Sequence, residues 1–313
     1  MEMVTTQTAA ALLLALLLDG WIGEPRRWHP LVGFGRLADW LESRLNPQEG
    51  TPGRLAARGA GCAAWGVLVL LPAGLLAWGL PQDGSFWLVE AVLLYLTVGG
   101  RSLIEHGEAV RAALARQDRE LARVRVGYLV SRETAALEPA QVAGATIESL
   151  LENGCDALFG AMFWFLVAGA PGALAYRLAN TLDAMWGYKT PRLLHFGWAA
   201  ARADDLLNLV PARLTALSYT LAGRTATAWR CWNRQGGGWK SPNAGVVMAS
   251  GAGALGLRLG GPARYHGIDT MRPQLGEGDP PDGEDIARAI GLLRRALLLW
   301  GLAVMTAWGI GHA

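Results

Sequence analysis

The apolar residues of this chain fall into long blocks. Four runs, roughly 5–23, 60–80, 85–104 and 290–311, hold about 20 mostly apolar residues each, enough to cross a bilayer as helices. A fifth, 157–176 ("ALFGAMFWFLVAGAPGALAY"), is as long but is split by Ala170-Pro171-Gly172. That split predicts two half-helices or a re-entrant hairpin, because irregular backbone at membrane depth must be covered by protein or line a cavity. A sixth, 205–223, contains Pro211 and Arg213 and reads as an interfacial amphipathic helix. The pattern predicts an all-α polytopic membrane protein, a single domain over 1–313, with amphipathic or re-entrant helices across 157–223.

Charge orients the blocks. Only 17% of the 313 residues are charged, against about 25% in ordinary soluble domains. No arginine precedes Trp21, whereas loop 24–58 holds six and segment 101–155 holds seven. By the positive-inside rule the N-terminus faces out and both loops face the cytoplasm. Segments 177–203 and 224–289 are also basic, so 157–223 is expected to re-enter without crossing, leaving a large cytoplasmic polar half. The first run lacks a basic n-region and a cleavage site, so it is read as a retained span. A net charge of +2 gives no reason to expect nucleic acid, and three scattered cysteines give neither a disulfide framework nor a zinc site.

Polar residues gather in three stretches. In "LEPAQVAGATIESLLENGCDALFG" (137–160), Pro139 suits the first position of a helix and Gly154 its C-terminal stop. Glu148 and Glu152 then share one face, and Asp156 would cap the next helix. In a soluble protein such a pair is ordinarily a solvated face. Beside a membrane segment, these glutamates, Asn153 and Asp156 are candidates for chemistry. In "ANTLDAMWGYKTPRLLHFG" (179–197), Asn180 and Asp183 are three apart, and Tyr188, Lys189, Arg192 and His195 follow. The cations suit phosphate or carboxylate, or else lipid headgroups. In "ADDLLNLVPARL" (203–214), Asp204 and Asn208 lie one turn apart with Asp205 adjacent, and Arg202 and Arg213 flank them. Adjacent acids repel unless neutralised, so the stretch is either a salt-bridge network or an oxygen-rich Mg²⁺ site that also bridges substrate phosphates. "GAGALG" (251–256) matches a dinucleotide fingerprint by letter, but no strand–helix alternation surrounds it; small residues at this spacing point to close helix packing. "GGGWKSPNAG" (236–245) fails the P-loop pattern because Trp239 precedes Lys240.

These stretches, with "LLLDGWIGEPRRWHPLVGFGRLADWLE", "VSRETAAL", "SPNAG" and "EDIARAIGLLRRALLL", resemble the CbiB/CobD family of adenosylcobinamide-phosphate synthases along nearly the whole chain. The sequence departs from the family pattern at Glu24, Glu133 and Gly144, and at Gly160-Ala161, where a proline is usual. The resemblance implies a multi-pass enzyme of the inner membrane with a cytoplasm-facing site. It implies attachment of (R)-1-amino-2-propanol or its O-phosphate to a propionate of adenosylcobyric acid, with ATP as co-substrate and Mg²⁺. On that reading Mg²⁺ would sit on Asp183, Asp204, Asp205 and Asn208. Arg132, Asn180, Tyr188, Lys189, Arg192, Arg202, Arg213, Ser241 and Asn243 would bind the anionic reactants. Glu148 or Glu152 would take the amine's proton, with Asn153 and Asp156 beside them. The partners implied are the two substrates and the bilayer, with room for a homo-oligomer and for other late cobalamin-pathway enzymes. Two rival readings are a membrane prenyltransferase, suggested by D-D-x-x-N, and a non-enzymatic sensor like the AmpE proteins.

Overall fold

The computed structural model describes residues 5–25, 29–46, 53–81, 83–265 and 267–311. In chain order the helices are α1 (Thr6–Ile22), α2 (Pro30–Leu45), α3 (Arg54–Trp65), α4 (Leu71–Gly79), α5 (Trp87–Tyr95), α6 (Gly100–Ala115), α7 (Arg119–Gly127) and α8 (Pro139–Gly154). There follow α9 (Gly160–Trp186), α10 (Leu193–Phe196), α11 (Trp198–Leu207), α12 (Leu209–Ala222), α13 (Thr225–Gln235), α14 (Ala244–Leu255) and α15 (Gly283–Gly311). Single π-helical turns, Gly66–Leu70 and Cys155–Phe159, join α3 to α4 and α8 to α9. The all-helical expectation holds apart from one antiparallel hairpin, β1 (Leu259–Tyr265) and β2 (Ile268–Leu275). Its second strand runs into the stretch 272–286, which reads as the most loop-like in sequence because Pro and Gly mask the pairing.

Four helical stretches are long and apolar enough to cross a membrane: Arg54–Gly79, Trp87–Ala115, Pro139–Trp186 and Gly283–Gly311. The expected first span, 5–23, is a shorter apolar helix of 17 residues. The chain folds as two compact units. One comprises Met1–Gly99, Gly160–Asn208 and Trp308–Ala313; the other comprises Gly100–Phe159 and Leu209–Ala307.

In the first unit α9 is the axis. Leu178, Ala179, Leu182 and Trp186 pack with Ala38 of α2, Ala64 of α3, Leu68, Val69, Phe196 and Ala200. The expected break in this helix is real and lies slightly earlier, at Ala168 and Gly169, the latter at φ 63°. Pro171 has no N–H to continue the ladder. The amide exposed by the break is not wasted, since the Ala170 N–H donates to Glu90 of α5. That bond explains an acid inside an otherwise apolar helix, because a carboxylate satisfies the orphan donors at a helix start.

In the second unit α14 is buried along its whole length. Gly251 faces Leu151 of α8, and Gly253 faces Ala228 of α13, at distances where a Cβ would collide. "GAGALG" is therefore a packing surface, as its spacing predicts. The expected stop at Gly154 is overturned. The chain runs on helically through Cys155 (φ −67°, ψ −54°) into the π turn, so Asp156 lies within that turn and not at the start of a separate helix. The glycine instead admits its neighbours: a Cβ there would stand 2.5 Å from the Tyr219 hydroxyl and 2.7 Å from Leu293. Helix α8 does begin at Pro139, with Glu138 and Gln141 forming a capping box.

Candidate functional site

In the first unit the end of α11 is brought against both halves of α9. Trp164 Nε1 donates to the Leu207 carbonyl at 3.0 Å, and the buried Tyr176 hydroxyl donates to Asn208 Oδ1 at 2.8 Å. This fixes which way the Asn208 amide faces. Its Nδ2 lies 3.2 Å from both oxygens of Asp204, and Asn180 Nδ2 lies 3.2 Å from Oδ1. Among the described residues Asp204 is thus held by amide groups, with no cation paired to it. Burial pushes its carboxyl above the usual aspartate range, the amide hydrogen bonds pull it back, and Asp205 adds repulsion.

The neighbouring acids are arranged differently. Asp205 pairs with Arg202 at 2.8 Å. Asp183, half-buried on α9, lies beside Gly187, where a Cβ would come within 2.1 Å of its Oδ1. Arg192 is bound to the buried Glu42, which also takes the Asn46 side-chain amide at 2.7 Å. Tyr188 and Lys189 are exposed.

The second unit contains a contrasting centre. The Glu148 side chain is buried, and both its oxygens are occupied. Oε2 accepts from Arg132 and, at 2.7 Å, from Arg272; Oε1 accepts from Arg272 at 3.3 Å and from the Gly260 N–H at 2.8 Å. A carboxylate has about four acceptor positions, and here all are filled. The Gly260 amide is available because the hairpin register shifts between Leu259 and Gly261. Arg272 also lies over the Trp239 ring, 5.5 Å from its centroid. Glu148, one of the two glutamates weighed from sequence as a base, is therefore the anion of a filled ion cluster here.

Of its neighbours, Asn153 donates to the Ser149 hydroxyl and carbonyl, while Glu152 and Asp156 are half-buried on adjacent turns. Arg213 donates to Asn243 Oδ1 and to the Leu209 and Pro242 carbonyls, and Ser241 Oγ accepts the Asn243 and Ala244 amides at the start of α14. A cleft of about 580 Å³ in this unit, lined by Leu114, Gln117, Arg119, Pro139 and Glu284 among others, holds none of the expected residues.

Two partners central to these clusters, Tyr176 and Arg272, carry no local signal as single residues. Tyr176 ends an apolar run, and Arg272 opens a loop-like one. Only the apolar setting of the first and the isolation of the second as a buried cation mark them out once folded.

Residues 12–293 match the family described as CobD/Cbib protein. The chain belongs to the CobD/CbiB family. Over 306 residues it is 57% identical to a "Cobalamin biosynthesis protein CobD" of Chromobacterium violaceum, covering 96% of each chain. It is 41% identical over 299 residues to the protein of that name in Mycobacterium tuberculosis, covering 93% of each. It is 35% identical over 304 residues to "Cobalamin biosynthesis protein CbiB" of Salmonella typhimurium, covering 91% of this chain and 93% of that protein. No solved structure matches. The resemblance read from the motifs is thereby borne out over the length of the chain.

Among the described residues no three His, Cys, Asp or Glu side chains gather as a self-sufficient metal centre. The Asp204 region fits a Mg²⁺ ion of another kind, one held by one or two carboxylates and completed by substrate phosphates and water. Asn208 does not fit as a ligand in this arrangement, because its oxygen is given to Tyr176 and its amide to Asp204.

Proposed function

We propose that this CobD/CbiB chain is the membrane ligase of cobalamin biosynthesis that joins (R)-1-amino-2-propanol, or its O-phosphate, to a propionate of adenosylcobyric acid. The membrane character follows from its four long apolar helices, and the place in cobalamin biosynthesis from its family. ATP and Mg²⁺ are part of the proposal, as are the inner membrane and a site facing the cytoplasm.

The observation that carries the reading is the carboxylate of Asp204, half-buried and held, among the described residues, by amides. A carboxylate substrate does not react with an amine at neutral pH. Its oxygen first attacks the γ-phosphorus of ATP and ADP leaves; the amine nitrogen then attacks the acyl carbon and phosphate leaves. Both steps bring anions together, so the main task is positioning and charge neutralisation. Mg²⁺ would supply positive charge to the phosphate oxygens, with Asp204 as its principal protein ligand. Asn180 and Asn208 keep the Asp204 carboxylate oriented without neutralising it. Lys189, exposed on its loop, is suited to reach a phosphate.

The prenyltransferase reading loses its support, since Asp205 turns to Arg202 instead of pairing with Asp204 around a diphosphate. The test is turnover by the purified full chain in detergent. ADP release should require adenosylcobyric acid, the amino alcohol or its phosphate, and Mg²⁺ together. Undiminished turnover by Asp204→Ala would remove the site.

A further inference from the structure

We propose that Arg177, together with the His29 imidazole, forms an oxyanion site in the first unit that holds the phosphate of a small amino-alcohol phosphate. Arg177 lies on the second half of α9, one turn before Asn180 and on the same face. It is half-buried, and its Nε is fully buried without a hydrogen-bond partner. Among the described residues it forms no ion pair. Every other cation that sequence placed in this unit's polar stretch, apart from exposed Lys189, has its carboxylate: Arg192 has Glu42, and Arg202 has Asp205. A partly buried guanidinium without a counter-charge is costly, so it is kept for an anion supplied from outside.

The start of α2 comes to meet it. Leu31 and Phe34 pack in one cluster with Leu174, Ala175 and Leu178, which brings the capping residue His29 to the level of Arg177. His29 Nδ1 accepts the Leu31 N–H at 3.2 Å. The neutral ring therefore carries its proton on Nε2, as a second donor. Burial favours that neutral form most; Glu24 opposes it, and the Arg177 charge, the smallest of the three effects, favours it. A guanidinium fork beside an N–H donor is the donor set for a tetrahedral phosphate.

The ligand follows from what stands one turn along the helix. Asn180 holds Asp204, a carboxylate without a paired cation among the described residues, while Arg177 is a cation without an ion pair among them. A zwitterion with an ammonium and a phosphate a few bonds apart complements both. The choice of an amino-alcohol ligand rests on the amide-forming reading above; the oxyanion site does not.

The experiment measures binding to the purified full chain in dodecyl maltoside, without ATP, Mg²⁺ or corrinoid, by calorimetry. The probes are O-phosphoethanolamine, ethanolamine and inorganic phosphate. The wild-type chain should bind the phosphorylated probe about tenfold or more tightly than ethanolamine. Arg177→Gln and Arg177→Ala should erase that preference and leave ethanolamine binding within about twofold. Arg177→Lys should restore part of it, and His29→Gln should weaken it less than Arg177→Gln does. Helical circular dichroism certifies the fold of each variant. A folded Arg177→Gln that retains wild-type affinity for the phosphorylated probe overturns the site. A lipid source is tested with mixed micelles containing phosphatidylglycerol. Retention of that lipid, lost in Arg177→Gln and not displaced by O-phosphoethanolamine, would overturn the small-molecule ligand. Failure of any binding arm leaves the Asp204 reading standing, because no turnover is measured.

Discussion

Glu148 and Asp204 are both poorly exposed acids on helices, and their surroundings are opposite. Two guanidiniums and a backbone amide close around Glu148, so its charge is compensated within the second unit. Two neutral side-chain amides orient Asp204, and among the described residues of the first unit no cation pairs with it. A completed ion cluster has nothing left to offer a substrate; an oriented but unneutralised acid does. The number of hydrogen bonds is therefore a poor guide to function. What separates the two centres is whether a cation is among the partners.

The sharpest way to break this comparison is at Asp204. Asp204→Asn keeps the shape and removes the charge. Turnover should fall by about 10³-fold, the order expected when an electrostatic centre of a phosphoryl-transfer site is lost. Wild-type turnover in this variant would make the two acids equivalent. The matching change at Glu148 should act on stability. Glu148→Gln leaves Arg132 and Arg272 buried without their anion, at a cost of about 3–5 kcal/mol. Thermal unfolding in detergent should show this as a large fall in Tm. A Tm equal to wild type would mean that the cluster is not what holds α8 to the hairpin.

Asp204 also makes stability depend on pH. Burial raises the Asp204 carboxyl above its unfolded value, so the protonated form is the one the fold prefers. Below the unfolded aspartate range the group is neutral in both states and costs nothing. As pH rises through the unfolded value and on through the raised folded value, the chain must ionise a buried acid, and stability is lost. Asp204→Asn should therefore unfold at a higher temperature than wild type at neutral pH, in the absence of Mg²⁺. The gap should close on acidification toward pH 4. A gap that widens with acid would reverse the assignment.

How much of this was legible beforehand differs between the regions. The helices announced themselves through apolar run length, and the break in α9 through its Ala-Pro-Gly, because solvent and proline act locally. Asp204 and Asn208 were legible as a pair because helical spacing joins them. The partners were not. Arg272 reaches Glu148 across 124 positions, and Tyr176 reaches Asn208 across 32. Nothing local in either residue encodes the meeting. The hairpin was missed for a related reason: strand pairing is a non-local bond pattern, and Gly260, Gly261, Pro262 and Pro273 hide it. Gly154 was misread because a glycine that admits a neighbour looks, in sequence, like one that ends a helix.

The smallest expected effect tests orientation in the Asp204 centre, where charge is left alone. Tyr176→Phe removes only the hydroxyl that donates to Asn208 Oδ1. The ring stays buried, so the lost bond should cost about 1 kcal/mol of stability. Asn208 could then turn its amide, presenting oxygen where nitrogen now faces both oxygens of Asp204. An oxygen there repels the carboxylate and spoils its aim, so kcat should fall about tenfold while KM for the corrinoid changes little. Gly160→Ala approaches the same group from its other side, since the added methyl would come within 2.1 Å of the Tyr176 hydroxyl. If the hydroxyl matters only for packing, Gly160→Ala should lower Tm and leave kcat alone. If it sets the amide, both variants should lower kcat, and restoring the tyrosine should restore it.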